Sequence, residues 1–182
     1  MSDQAPQSGL DLPTLYGLFP TADDAPEYQF VPGAAVPSPY HGLLVHDYHM
    51  TVTMEAFYGD LVDVRVLAKR QSPEDYARKI LLSLQKTGRV VQFGIVRVVL
   101  KYCSPAVQQE ILAEQTPLGR ILIKHAVLRR IEPTAYLRIV PSPAMMGWFG
   151  LSAPTPTYGR LAYIHCDHQP AVELLEIAAP AT

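Results

Sequence analysis

Alternating apolar and polar residues mark strands along the chain, because successive side chains of a strand point to opposite faces of its sheet. Residues 61–68 follow this alternation. Residues 76–84 and 90–100 are mainly apolar runs that flank residues 86–89. Gly88 suits a tight turn there, since glycine tolerates a positive φ. The two runs and the turn therefore predict a β-hairpin.

The first run of this hairpin also has helical features. Ser72 is a good N-cap, and the acidic residues at 74 and 75 suit the first turn of a helix. The glycine turn and the β-branched run that follow favour the strand instead.

The second half of the chain repeats the strand pattern. Residues 160–165 and 171–179 flank a turn at residues 167–170 and predict a second hairpin. Residues 125–131 and 136–140 are two further β-like runs.

Capping residues predict three short helices. Ser104 and Pro105 suit the start of a helix that ends near residue 114. Residues 116–122 begin with a threonine N-cap and a proline, and the free N–H groups of such a start suit an anionic ligand. A third helix ends at residue 58, with Asp47 or Thr51 as its cap.

These elements predict an α+β fold, in which an antiparallel β-sheet of about six strands carries short helices over a buried ligand pocket. Residues 1–40 are rich in proline and small residues and predict a loose arm. Residues 41–182 form the predicted domain. Residues 141–150 predict a loop with large apolar side chains, which would suit a lid.

Composition and charge exclude several classes of partner. The net charge of −2 offers no electrostatic footprint for nucleic acid or acidic membranes. No apolar run is long enough to span a bilayer, and the first residues lack the pattern of a signal peptide. Two cysteines do not make a disulfide scaffold. We therefore expect a cytoplasmic protein.

Charged residues within apolar strands are the candidates for chemistry. Arg78 and Arg97 lie on the two strands of the first hairpin, and we expect them to face one cavity and bind one or two carboxylates. Glu176 lies between apolar neighbours, where a carboxyl group protonates more readily and can act as acid or base or bind a hydroxyl. For all three residues, the alternative is that the side chain faces solvent or forms an ion pair.

Residues 165–168, His-Cys-Asp-His, collect metal-ligating side chains in one turn. No second pair of ligands follows at the spacing of a zinc site. We therefore expect no metal.

Four segments resemble, in order, motifs of the bacterial chorismate lyases. Residues 116–122 resemble the family's Thr-Pro-Leu-Gly-Arg motif. Residues 43–51 resemble its Leu-Leu-x-x-Asp-x-Met-Thr stretch with one extra residue, and residues 78–82 its Arg-Glu-Ile-Leu-Leu strand. Residues 170–180 resemble its C-terminal Thr-Glu-Leu-Phe-Leu-Pro strand after a shift of one residue.

This resemblance implies a lyase without cofactor that eliminates pyruvate from chorismate to give 4-hydroxybenzoate. It implies substrate contacts from Met50, which would pack on the ring, and from Arg78, which would hold the ring carboxylate. Leu118 would contribute its backbone, and Glu176 would contact the 4-hydroxyl end. Arg97 corresponds to a second arginine on the neighbouring strand.

The roles in catalysis follow as hypotheses. Arg78 and Glu176 would act in the reaction, with Glu176 as the base, and Arg97 or His49 would serve the enolpyruvyl side. The alternative function is a non-catalytic domain that binds or senses an aromatic carboxylate on the same fold. The expected partners are small molecules, and the expected assembly is a monomer or a small homo-oligomer.

Overall fold

One seven-stranded antiparallel sheet organises residues 9–19 and 25–181, the part of the chain that the computed structural model describes. The strand order across the sheet is β1-β5-β6-β7-β4-β3-β2. The strands are β1 (Glu27–Val31), β2 (Val62–Gln71), β3 (Asp75–Leu84), β4 (Val90–Val99), β5 (Arg129–Val140), β6 (Thr157–Cys166) and β7 (Gln169–Ala178). The α-helices are α1 (Leu12–Tyr16), α2 (Tyr40–Leu44), α3 (Met50–Tyr58), α4 (Pro105–Ala113), α5 (Leu118–Lys124) and α6 (Pro143–Phe149). The predicted α+β class is confirmed.

Both predicted hairpins form. Gly88 adopts a φ of 70° in the turn between β3 and β4, as the sequence required. The turn between β6 and β7 uses Asp167 and His168, both at positive φ.

The two β-like runs between residues 125 and 140 form a single strand, β5, which begins at Arg129. Its pairing with β6 shifts between Pro133 and Ala135. A proline has no N–H to give to a ladder, so it is tolerated at such an irregularity. The other edge of β5 pairs with β1 only from Tyr136 onward.

Capping explains where the helices begin. Ser104 caps α4 as predicted, since its side chain accepts a hydrogen bond from the N–H of Val107. Helix α5 begins at Leu118 with Pro117 as its N-cap, so the prediction of Thr116 as N-cap is wrong by one residue. Helix α3 has His49 as its N-cap, so the prediction that Asp47 or Thr51 caps it is also wrong.

The prediction of a loop over residues 141–150 is wrong, because residues Pro143–Phe149 form α6. Ser142 caps this helix by accepting a hydrogen bond from the N–H of Met145. The serine-proline start is the same signal that correctly placed α4.

Part of the predicted N-terminal arm packs on the sheet. Strand β1 forms one edge, and Leu12, Leu15 and Tyr16 of α1 are buried in a core cluster. Residues 1–8 and 20–24 of the arm lie outside the described part of the chain.

The alternation of side chains divides the core between two faces of the sheet. One face carries Arg78 and Ile80 of β3, and α3 and α5 are among the elements that cover it. The other face carries Leu81 and packs against α1 and α6. No helix within residues 9–19 and 25–181 has the length and apolar character needed to cross a membrane.

The close pairing of β6 and β7 predicts the effect of substituting Gly159. A Cβ atom there would lie 2.7 Å from the carbonyl oxygen of Glu176. Gly159→Ala should therefore lower the free energy of unfolding by about 1–3 kcal/mol, measured by urea denaturation. Gly147 in α6 has no atom within 4 Å of such a Cβ, so Gly147→Ala should raise stability by about 0.5–1 kcal/mol. Equal effects of the two substitutions would contradict the packing described.

Candidate functional site

A cavity lies between the sheet and the first turns of α3 and α5. The volume of the cavity is about 40 Å³. One buried water molecule needs roughly 10–15 Å³. Its walls are largely apolar. The polar and charged residues that line it in the described part of the chain are His49, Thr51, Arg78, Gln92 and Glu176.

Arg78 is a buried cation with few partners. It is 2% exposed, and its Nη2 donates a hydrogen bond to the carbonyl oxygen of Thr116 at 3.4 Å. Its Nε and Nη1 atoms have no hydrogen-bond partner among the described residues. Burial lowers the pKa of Arg78, but a guanidinium remains charged in proteins. Tyr76 and Glu114 partly oppose this lowering, but two of the guanidinium nitrogens remain without a hydrogen-bond partner among the described residues.

The nearby carboxylate of Glu114 is held by other groups. It accepts a hydrogen bond from the Tyr76 hydroxyl at 2.8 Å and forms an ion pair with Lys69 at 2.9 Å. Burial and the bond to this carboxylate raise the pKa of Tyr76.

Glu176 belongs to a buried ion pair. Its Oε2 atom accepts a hydrogen bond from Nε of Arg160 at 2.7 Å, and Arg160 is fully buried. The other nitrogens of Arg160 donate to the carbonyl oxygens of Leu44, His46 and Tyr48 at 2.8–3.2 Å. Arg160 thus orients Glu176 at the cavity and anchors the segment that leads into α3.

His49 is held as a neutral acceptor beside the cavity. Nε of Arg129 donates a hydrogen bond to its Nε2 atom at 2.7 Å. Burial lowers the pKa of His49 to about 4, and the charges of Arg129 and Arg160 add to the effect. At neutral pH the ring therefore carries its proton on Nδ1.

Gly119 allows α3 and α5 to meet over the cavity. A Cβ atom at this position would lie 3.0 Å from Cβ of His49 and 3.1 Å from Oγ1 of Thr51. An ion pair between Arg120 and Glu55 joins the same two helices. The glycine and arginine of the Thr-Pro-Leu-Gly-Arg segment therefore build the cover of the cavity.

Four of the predicted site residues come together. Met50, Arg78, Leu118 and Glu176 all line this one cavity, and each is at most 7% exposed. They come from α3, β3, α5 and β7, so only the tertiary fold joins them. Their roles toward a ligand remain predictions.

The expectation that Arg97 shares a cavity with Arg78 is wrong. Arg97 pairs across the sheet with Ala77, and Arg78 pairs with Val96, so the two arginines lie on opposite faces. Arg97 forms ion pairs with Asp75 at 2.8 Å and Glu173 at 3.2 Å.

Sequence reasoning missed Arg160 and Gln92. The sequence pattern places Arg160 at the start of a strand, and the register of the hairpin puts it directly opposite Glu176. An arginine and a glutamate at matching distances from a predicted turn are a signal for such a pair. Gln92 gave no comparable signal, because a polar residue in a strand usually faces solvent.

Comparison with known proteins gives the fold. The chain resembles the effector domain of PhnF from Mycobacterium smegmatis, with a TM-score of 0.50, 12% identity and coverage of 72% of this chain and 88% of that domain. Against PhnF from the same organism, the TM-score is 0.49 at 11% identity, over 72% of this chain. The chain spans 63% of that longer protein, less than two thirds.

A second similar structure is the ligand-binding domain of a putative GntR-family transcriptional regulator from Bordetella bronchiseptica. The TM-score is 0.49 at 12% identity, with 64% of this chain and 85% of that domain covered. No protein-family model and no curated protein sequence matches this chain. The comparisons therefore show a shared fold with the PhnF effector domain.

The environment of His49 predicts a pH dependence of stability. In the unfolded chain its pKa is near 6.5, whereas in the folded protein it is about 4. Between these values the unfolded state binds more protons, so stability is complete above pH 6.5 and falls as the pH drops toward 4. The loss at this one group should be roughly 3 kcal/mol.

The measurement is the free energy of unfolding in urea as a function of pH. His49→Asn keeps a good N-cap for α3 and should remove this part of the pH dependence. His41→Gln changes an exposed histidine and serves as the control. A His49→Asn profile that parallels the wild type from pH 6.5 to 4 would show that His49 does not titrate as described.

Proposed function

We propose that this chain binds a small aromatic carboxylate in the cavity under α3 and α5, with Arg78 as the group that receives the carboxylate. The single observation that carries the proposal is the buried Arg78 guanidinium, whose Nε and Nη1 have no partner among the described residues. Leaving a buried charge unpaired is costly, so such a site favours an anion.

The shape of a guanidinium favours a carboxylate as that anion. Arginine presents parallel N–H donors that match the two oxygens of a carboxylate. The carboxylate of Glu114 is engaged by Tyr76 and Lys69. A ligand carboxylate at Arg78 would supply the missing acceptors.

The other walls of the cavity are mainly apolar. Met50 and Leu118 close it from the helical side, and Ile80 and Val96 line the sheet side. Gly94 also lines the sheet side, and a Cβ atom there would lie 3.2 Å from the carbonyl oxygen of Leu175 and 3.4 Å from Cδ1 of Ile80. Binding sites for small molecules combine such apolar walls with a few placed polar groups.

A role in binding or sensing a small molecule is compatible with the fold that this chain shares with the PhnF effector domain. The PhnF structure of similar fold is an effector domain. The proposed role for this chain rests on its own cavity.

A second candidate function is elimination of pyruvate from chorismate. It is favoured by the meeting at one cavity of Met50, Arg78, Leu118 and Glu176, four of the five positions that the resemblance to chorismate lyases singles out. In that reaction a base takes the proton from C4, and the electron pair completes the aromatic ring. The C3–O bond breaks, and the released enolpyruvate takes up a proton to become pyruvate. Glu176, oriented by Arg160, would be the base.

Binding is tested by titration calorimetry with 4-hydroxybenzoate. Arg78→Met should weaken binding by about 2 kcal/mol or more, a factor of about 30, because a charge-assisted contact is lost. Arg97→Met removes the same charge from the opposite face and should leave affinity within about twofold. Equal losses in both variants, or none in Arg78→Met, would contradict the proposal.

The lyase function is tested by incubating the protein with chorismate and measuring pyruvate and 4-hydroxybenzoate together. Equal amounts of both products are expected from a lyase, and Glu176→Gln should lower kcat by about 10²–10⁴. Binding that depends on Arg78 without release of pyruvate would leave the binding function and reject the lyase. Unchanged turnover in Glu176→Gln would reject Glu176 as the base.

A further inference from the structure

Gln92 is a second buried polar group of the cavity with an unmet hydrogen bond. The residue is 3% exposed, and its Oε1 atom has no partner among the described residues. It lines the same cavity as Arg78 and Glu176. A buried acceptor without a donor is destabilising by itself, so its presence requires an explanation.

The strand register places Gln92 at the end of the cavity remote from Arg78. Arg78 pairs with Val96 and Leu82 pairs with Gln92 across the same two strands. The two polar residues are thus four positions apart along the strands, roughly 13 Å at the backbone. Gly94 lies halfway between them, directly opposite Glu176 of β7.

This arrangement gives the cavity two chemically different ends. Arg78 provides donors at one end, and Oε1 of Gln92 provides an acceptor at the other, with Glu176 of β7 opposite Gly94 between them. Oε2 of Glu176 is already engaged by Arg160.

We infer that Gln92 determines specificity by accepting a hydrogen bond from a hydroxyl group on the ligand, at the end of the ring remote from the carboxylate. The inference rests on the proposed binding of an aromatic carboxylate. It restricts the ligands to aromatic carboxylates that carry a hydroxyl group. A ligand that lacks the hydroxyl leaves the acceptor unsatisfied in the complex, whereas a hydroxylated one satisfies it. Sites built in this way discriminate strongly against the analogue that lacks the polar group.

The test compares two probes of nearly equal size, 4-hydroxybenzoate and 4-methylbenzoate, by titration calorimetry. The wild type should bind the hydroxylated probe at least tenfold more tightly. Gln92→Met keeps the length of the side chain but removes the acceptor, and should reduce this preference by tenfold or more. The affinity for 4-methylbenzoate should stay the same or rise.

Leu82→Met is the matched control. Leu82 lines the same cavity directly across from Gln92 and has no polar atom. Its substitution changes packing at this end of the cavity and should leave the preference for the hydroxyl within about twofold.

Stability in urea provides a second measurement that needs no ligand. Because Gln92→Met removes an unsatisfied buried acceptor, its denaturation midpoint should equal or exceed that of the wild type. A clear fall in the midpoint would show that the Gln92 amide is satisfied in the folded protein and would overturn the inference.

The outcomes separate this inference from the proposed function. An unchanged preference in Gln92→Met, with binding that still depends on Arg78, overturns the role of Gln92 alone. Failure of the wild type to bind either probe overturns the proposed function and this inference with it.

Discussion

The ion pair between Arg160 and Glu176 is the interaction on which the arrangement of this cavity depends. One fully buried guanidinium joins neighbouring strands β6 and β7 and also binds three backbone carbonyls between Leu44 and Tyr48. That segment leads directly into α3, so the position of the helical cover is tied to the sheet below it. Buried charges are tolerated when their hydrogen bonds are complete, and this one is surrounded by acceptors. A single side chain, Arg160, thus contacts both Glu176 and the entry of α3.

Arg78 is the counterpart of Arg160 with the opposite balance of partners. Both are buried on the same face of the sheet, but Arg160 has acceptors from a carboxylate and three carbonyls, whereas Arg78 has the carbonyl of Thr116. The first arrangement stabilises the fold, and the second is costly without a ligand. Gln92 is similar, because its acceptor Oε1 has no donor among the described residues. Proteins tend to have such locally unfavourable groups at their functional sites. We therefore propose a function for this cavity.

Local signals in the sequence were sufficient for most elements. Turn residues and alternation fixed both hairpins, since a glycine turn between two apolar runs has few other solutions. A serine-proline start marks both α4 and α6, although the large apolar side chains of the Met145-Met146 segment favour the prediction of a loop. At the site, the resemblance implies Met50, Arg78, Arg97, Leu118 and Glu176, and all of these except Arg97 meet at one cavity. Arg160 and Gln92 remained outside the prediction because the segments that cover them, such as the carbonyl groups of residues 44–48 that bind Arg160, are distant in the chain.

The sequence by itself determined the class of fold and the residue types available for chemistry, because period, capping and turn propensity act over a few neighbouring residues. Only the tertiary structure decided which of those residues share a face and which are satisfied. Arg78 and Arg97 both lie among apolar residues of a strand, and the sequence alone does not distinguish them. They are offset by one position across the β3–β4 pair, so Arg78 faces the cavity and Arg97 forms ion pairs on the opposite face. Side chains of a strand alternate with a period of two, so the strand register and the distant segments that cover each face together set the environment of each charged residue.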